Sequence, residues 1–182
     1  MHWSPGAISS FKLNFDGAAK GNPGLVDYGG VIRNDRGIVQ HIFYGSIGKD
    51  TNNVAEMEGL WKGICIADQH GYYPLEAEGD SLILINAATR IQAGTSAAKI
   101  ASSWRLLNRL ETLEERLRSP NSIIFKHVKR SANKVADRLA NQGVDLNRPP
   151  YSGTLNDSED IQLQQECHSL AIQDIQSPAA GD

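Results

Sequence analysis

From Phe11 the chain alternates, with Phe11, Leu13 and Phe15 on one side of an extended segment and Lys12, Asn14 and Asp16 on the other. A period of two with one apolar face predicts a half-buried strand, and Asp16 belongs to its polar set. GAAKGNPG follows as a glycine-rich turn. YGGVIRN predicts a second strand that breaks at Asn34-Asp35-Arg36-Gly37, where Gly37 suits the left-handed position of a hairpin loop. IVQHIFYGSIG predicts a third strand and completes an antiparallel meander. Over residues 51–70 the period changes to three and four: Val54, Met57, Leu60, Trp61 and Ile64 form a helical stripe, with Asn52 or Asn53 able to cap its start and Gly71 beyond its end. Residues 74–80 predict a short strand with Leu75, Ala77 and Gly79 on one side, and Asp80 and Ser81 stand where the next helix begins. That helix runs through Leu82, Leu84, Ile85 and Ala88 towards Gly94. Residues 97–118 predict a longer helix with Ile100, Trp104, Leu107 and Leu110 as its stripe, closed by Pro120; residues 122–128 predict a strand and 131–142 a final helix ending at Gly143.

This order implies an α/β fold: a five-stranded mixed sheet, three antiparallel strands then two parallel ones, flanked by helices. After Asn147 the pattern dissolves into RPPYSG and a Gln- and acid-rich stretch with weak amphipathic spacing at Leu163, Cys167 and Leu170. The expected organisation is an N-terminal extension over 1–10, one domain over 11–147, and an acidic, disordered tail over 148–182.

Composition narrows the possibilities without naming one. At 182 residues with 40% apolar and 21% charged, the chain suits one globular domain and some excess, and excludes collagen, coiled coil and wholesale disorder. Its apolar runs fall far short of the roughly 20 residues that cross a bilayer, so no membrane partner is expected. Residues 1–10 lack a charged segment followed by an apolar one, so no secretory leader is expected. Two cysteines, Cys65 and Cys167, are too few for a disulfide framework, which favours an intracellular location, nuclear or cytoplasmic. The net charge of -3 is unevenly spread: all 18 Lys and Arg and 15 of the 21 acids precede Pro149, leaving a body of +3 and a tail of six acids. Such a body is compatible with a polyanionic partner and does not demand one.

Four acids stand out by position. Asp16 closes the first strand, Glu56 lies early in the first long helix, Asp80 closes the fourth strand, and Asp137 lies in the last helix. Strand ends and adjacent helix starts in such sheets leave room for a ligand. Carboxylates packed together repel one another unless a cation neutralises them or one stays protonated. Oxygen-only ligation favours Mg²⁺, or Mn²⁺, over zinc. Two ions about 3.5–4 Å apart can activate water on one side of a phosphodiester and stabilise the departing oxygen on the other. They would also raise the charge of the body and help it hold a polyanion. The plain alternative is that these acids are solvated caps.

The segments FKLNFDGAAKGNPG, GGVIRNDRG, TNNVAEMEGL, EGDSLILI and ANKVADRLA, in that order, resemble the type 1 ribonuclease H family, and more narrowly its plant reverse-transcriptase-like, non-LTR retrotransposon-type branch. The resemblance runs from about Trp3 to Val144, and Trp3 and Pro5 look like the segment preceding the domain in that branch, which suggests that Met1 marks a truncation. It implies an RNase H-like fold and an endonuclease that hydrolyses the RNA strand of RNA-DNA hybrids with two Mg²⁺ ions. By that resemblance Asp16, Glu56, Asp80 and Asp137 are metal-binding and catalytic, with Asp16 bridging both ions, and Glu56 also contacts the 2'-hydroxyl that distinguishes RNA. Asn52 and Asn53 match hybrid-contacting positions, Thr51 and Lys49 a pocket for a DNA-strand phosphate, and Gly17 a position that lets substrate backbone approach. Helix capping, an ordinary surface lysine and turn geometry are the structural alternatives for these residues, and Trp61 and Trp104 read as core.

The sequence departs from the family in two places. The histidine-bearing loop before the last acid is shortened, so His127 reads as a strand end, and Arg130 takes the vacancy as a fixed cation near the scissile phosphate. A basic helix and loop that grips the hybrid in some relatives has no counterpart, because Glu111, Glu114 and Glu115 intersperse the arginines over 105–118. The expected partners are therefore an RNA-DNA hybrid and a fused or associated reverse transcriptase or other nucleic-acid-binding domain, with the chain itself a monomer. The alternative function is a noncatalytic nucleic-acid-binding or interaction module left from a retroelement.

Overall fold

A computed structural model of the chain describes residues 3–21, 23–119, 122–144 and 149–176. Pro120, proposed above to close a helix, Met1, and the parts of the expected tail at 148 and 177–182 lie outside the described residues. Three antiparallel strands open the fold, as expected: β1 (Phe11–Gly21), β2 (Gly24–Arg33) and β3 (Val39–Asp50). β1 continues through most of the stretch expected to be a glycine-rich turn, because residues 17–21 pair with 24–28 of β2, so Asp16 lies within the strand rather than closing it. Helix α1 (Asn52–His70) leads to β4 (Leu75–Gly79), α2 (Leu82–Gln92), α3 (Trp104–Leu117) and β5 (Ile123–His127). Then come α4 (Lys134–Ala140), β6 (Tyr151–Gly153) and α5 (Ile161–Gln176). β4 lies parallel to β1, and β5 parallel to β4.

The sheet has six strands in the order β5-β4-β1-β2-β3-β6, not the expected five. The extra strand is Tyr151–Gly153, which pairs antiparallel with β3 and stacks Tyr151 on Tyr44 with ring centroids 5.8 Å apart. A three-residue strand after two prolines carries no readable period, and backbone pairing and one aromatic contact hold it. α5 follows, and the weak spacing noted at Leu163 and Cys167 is what it buries.

The sheet is covered on both faces. On one, Leu13, Phe15, Ile32 and Phe43 pack beneath Met57, Leu60 and Ile64 of α1, with α2 and α3 beside it. On the other, Val31, Ile42 and Tyr44 pack beneath Val135 and Leu139 of α4 and Leu163 and Cys167 of α5. α4 approaches so closely that a Cβ on Gly29 would stand 2.3 Å from the Ala140 nitrogen. Two expected helices are shorter than their patterns. A 3-10 turn at Ala97–Lys99 precedes α3, which starts at Trp104 behind its Ser103 cap. Ile100 therefore lies off the helix, the buried stripe is Leu106, Leu110 and Leu113, and Trp104 is 69% exposed rather than core. The final helix is likewise divided, with 3-10 turns at Arg130–Ala132 and Asn141–Val144 around α4.

Candidate active site

The alternation of β1 fixes the first acid. Asp16 is buried on the strand face it shares with Asn14, and its Oδ1 accepts a hydrogen bond from the Gly17 nitrogen at 2.8 Å. Gly17 explains how the second acid arrives, because a Cβ there would lie 2.6 Å from the Glu56 nitrogen. The close approach that this glycine permits is made by the first turns of α1. Thr51, rather than Asn52 or Asn53 as expected, caps that helix, its Oγ1 accepting from the Val54 nitrogen at 3.4 Å. One turn on, Asn52 Nδ2 donates to Glu56 Oε1 at 3.0 Å and orients the carboxylate. The third acid follows from the parallel register: Asn14 stands beside Glu78, and Asp16 and Asp80 come two residues later on each chain. Oxygens of Asp16, Glu56 and Asp80 all lie within 4.8 Å of one another.

The electrostatics of this trio are unfavourable without a cation. Burial first, then the charges of Asp80 and Glu56, push Asp16 up to about 8. Burial and Asp80 push Glu56 up to about 7, against hydrogen bonds from Asn52 and Ser81. Burial also raises Asp80, and nearby Arg130 partly offsets that shift. Glu56 Oε2 is buried with no hydrogen-bond partner among the described residues. An oxygen-only donor set with raised proton affinities and an unsatisfied buried oxygen fits a hard divalent cation, which would neutralise the repulsion and use the orphaned lone pairs.

Asp137 reaches the same cleft from α4, where its Oδ1 accepts from Arg130 Nη2 at 3.0 Å. It stands outside the tight trio, but its charge raises both Asp16 and Asp80. The cleft encloses about 520 Å³ and is also lined by Gly17, Asn52 and Asn141. The structure thus brings together Asp16, Gly17, Asn52, Glu56, Asp80, Arg130 and Asp137. Lys49, Thr51 and Asn53 do not line that cleft. Lys49 is exposed near the end of β3, and Asn53 faces a neighbouring groove of about 310 Å³ with Ile83, Asn86 and Arg90. His127 contacts the Asp80 carbonyl through Nε2 at 3.2 Å. Asn141 was not singled out by the sequence, and Ser81 was singled out only as a helix start. Ser81 reads as the cap of α2, which it is, its Oγ accepting from Leu84, and nothing in its position signals that it also lowers the proton affinity of Glu56.

Residues 14–143 match the family described as reverse transcriptase-like. A provisionally named ribonuclease H protein of Arabidopsis thaliana is 31% identical over 144 residues, which are 79% of this chain and 22% of that protein. The N-terminal RNase H domain of Rv2228c from Mycobacterium tuberculosis, solved as a fusion with maltose-binding protein, superposes with a TM-score of 0.64 at 30% identity, covering 77% of this chain and 96% of that one. LC11-RNase H1, solved in complex with an RNA/DNA hybrid, gives a TM-score of 0.64 at 25% identity, covering 75% and 98%. The chain spans 22% to 62% of the length of the curated relatives it matches.

Proposed function

This chain belongs to the reverse transcriptase-like family as a type 1 ribonuclease H-like domain, and from that premise we propose that it hydrolyses the RNA strand of RNA-DNA hybrids. The observation that carries this reading is the trio of Asp16, Glu56 and Asp80, with oxygens within 4.8 Å, in an open cleft with a fourth acid. The structure solved with a hybrid supports the choice of substrate, because it shares this fold around its RNA/DNA ligand.

Asp16, Glu56 and Asp80 would hold one or two divalent ions, Mg²⁺ in the first instance and Mn²⁺ equally well by donor chemistry, with Asp137 completing the set. The chemistry such ions supply is a water made nucleophilic at neutral pH and a stabilised leaving oxygen. The protein supplies the rest. Asn52 aims Glu56, and Gly17 lets α1 come close enough for Glu56 and Asp16 to share a ligand. Arg130, which now pairs with Asp137, is placed to meet a phosphate at the cleft rim. Lys49, Thr51 and Asn53 extend from the cleft along the β3–α1 junction and would follow the substrate backbone. By motif the domain is of the plant, retrotransposon-associated kind, working beside a reverse transcriptase or another nucleic-acid-binding domain.

Incubation with a labelled hybrid, single-stranded RNA and duplex DNA, with and without Mg²⁺ and beside Asp80→Asn, tests the proposal. The expected result is Mg²⁺-dependent cutting of the hybrid alone, lost in the variant. An intact hybrid that is demonstrably bound would instead establish a noncatalytic binding module.

A further inference from the structure

Behind the carboxylates lies a buried polar ladder that the reaction proposed above does not use. β1 and β4 alternate in step, so that Lys12 and Asn14 stand beside Glu76 and Glu78 before the strands reach Asp16 and Asp80. Lys12 Nζ lies 2.8 Å from Glu78 Oε1, and Asn14 Nδ2 donates to Glu78 Oε2 at 3.1 Å. Trp3 Nε1 donates to Asn14 Oδ1 at 2.9 Å. The same Asn14 amide donates to Asn133 Oδ1 at 3.2 Å.

Asn133 is the unusual member. It occupies the cap position of α4, where an asparagine ordinarily turns its side chain back to the first amides of its own helix, yet it makes no such bond. Its side chain is committed to β1 instead, Nδ2 donating to the Phe15 carbonyl at 2.9 Å while Oδ1 accepts from Asn14. Its own carbonyl accepts from the Asp137 nitrogen at 3.0 Å. One residue, 1% exposed, thus joins the peptide immediately before Asp16 to the helical turn that carries Asp137. A seven-residue helix has little stiffness of its own, and apolar packing of Val135 and Leu139 can set its depth but tolerates sliding and rotation that directional hydrogen bonds do not.

We propose that Asn133 is a positioning residue which fixes Asp137 relative to Asp16, so that the fourth carboxylate is held in register with the trio. The inference rests on the metal-dependent reading of the site. Loss of a group that orients a metal ligand commonly weakens metal binding by about 10- to 100-fold.

The test is a Mn²⁺ titration of the full chain by calorimetry, with hybrid cleavage measured over a range of Mn²⁺. Asn133→Ala should weaken Mn²⁺ binding by about tenfold or more, raise the Mn²⁺ needed for half-maximal cleavage in parallel, and leave KM for the hybrid unchanged, with excess metal restoring most of kcat. In an Asp137→Asn background the same substitution should add nothing. Asn133→Leu keeps the bulk without charge, donor or acceptor, and carries the test if the alanine variant is unfolded. A lowered melting temperature with unchanged Mn²⁺ affinity in the folded variant would overturn the inference. So would a loss of affinity in the Asp137→Asn background equal to that in the wild type. A wild-type chain that neither binds Mn²⁺ nor cuts hybrid would overturn the hydrolase reading itself, and this inference with it.

Discussion

Asp16 and Glu56 hold protons at pH values where free carboxylates have lost them, up to about 8 and about 7 respectively. Acids whose proton affinity is raised in the folded state bind more protons folded than unfolded. Their contribution to stability is complete below the unfolded range near pH 4 and is lost as the pH rises through 7 to 8. In EDTA the melting temperature should therefore fall between pH 6 and 8.5 by at least about 4 °C, equivalent to roughly 1–2 kcal/mol in a chain of this size. Millimolar Mn²⁺ should restore it at pH 8 and do far less at pH 5, where the ion must displace protons. A metal-free melting temperature that is flat across this window would show that the trio is not strained in the way its burial implies.

Among the elements, α5 is tied to the sheet by a buried charge. Arg33 on β2 is essentially inaccessible, its Nη1 donates to Asp174 Oδ2 at 3.0 Å, its Nε has no hydrogen-bond partner among the described residues, and its guanidinium stacks 4.3 Å from the Trp3 ring. Removing one partner of such a pair strands the other charge, at a cost of about 3–5 kcal/mol, whereas replacing both with apolar groups is close to neutral. Asp174→Ala should destabilise the chain by that amount in urea unfolding, and Arg33→Met with Asp174→Leu should recover most of it. A single variant within about 1 kcal/mol of wild type would mean that α5 is held by apolar packing alone. The elements also show where the sequence was readable. The alternation in β1 put Asp16 on the face it shares with Asn14 but ended the strand too early, and the same alternation in β4 places Glu76, Glu78 and Asp80 on one face, although it was read only for its apolar side. α1 was legible because its stripe is long. β6 is too short to carry a period, and Arg33 gives no sign in sequence that it turns inwards. Trp104 was misplaced because the cap at Ser103 restarts the helical phase, and the bond from Asn133 to β1 spans 118 positions and leaves no local trace.

Across the whole molecule, charge is arranged to spare the cleft rather than to flood it. All three arginines of α3 are already paired: Arg105 with Asp50, Arg109 with Glu58 and Arg116 with Asp68. α3 therefore offers no unpaired arginine to grip phosphates, so hybrid affinity should be modest. Measured by fluorescence anisotropy with Ca²⁺ replacing Mg²⁺, log K against log salt should slope by about -2 to -4, as for a few neutralised phosphates. Lys49→Ala should reduce that slope by about one. An unchanged slope would remove Lys49 from the contact surface. No helix among the described residues is long and apolar enough to cross a membrane.

The strand order carries a last consequence, for synthesis. β1 lies inside the sheet between β2 and β4, and α4 rests on β2 beneath a helix that runs to Gln176. As the polypeptide leaves the ribosome, the meander and α1 can pair early, but the cover that Leu163 and Cys167 give to Val31, Ile42 and α4 forms only after α5 has emerged. A product terminated before α5 would thus carry all four carboxylates beside a partly uncovered apolar sheet face, and would be a substrate for quality control before it could become a nuclease.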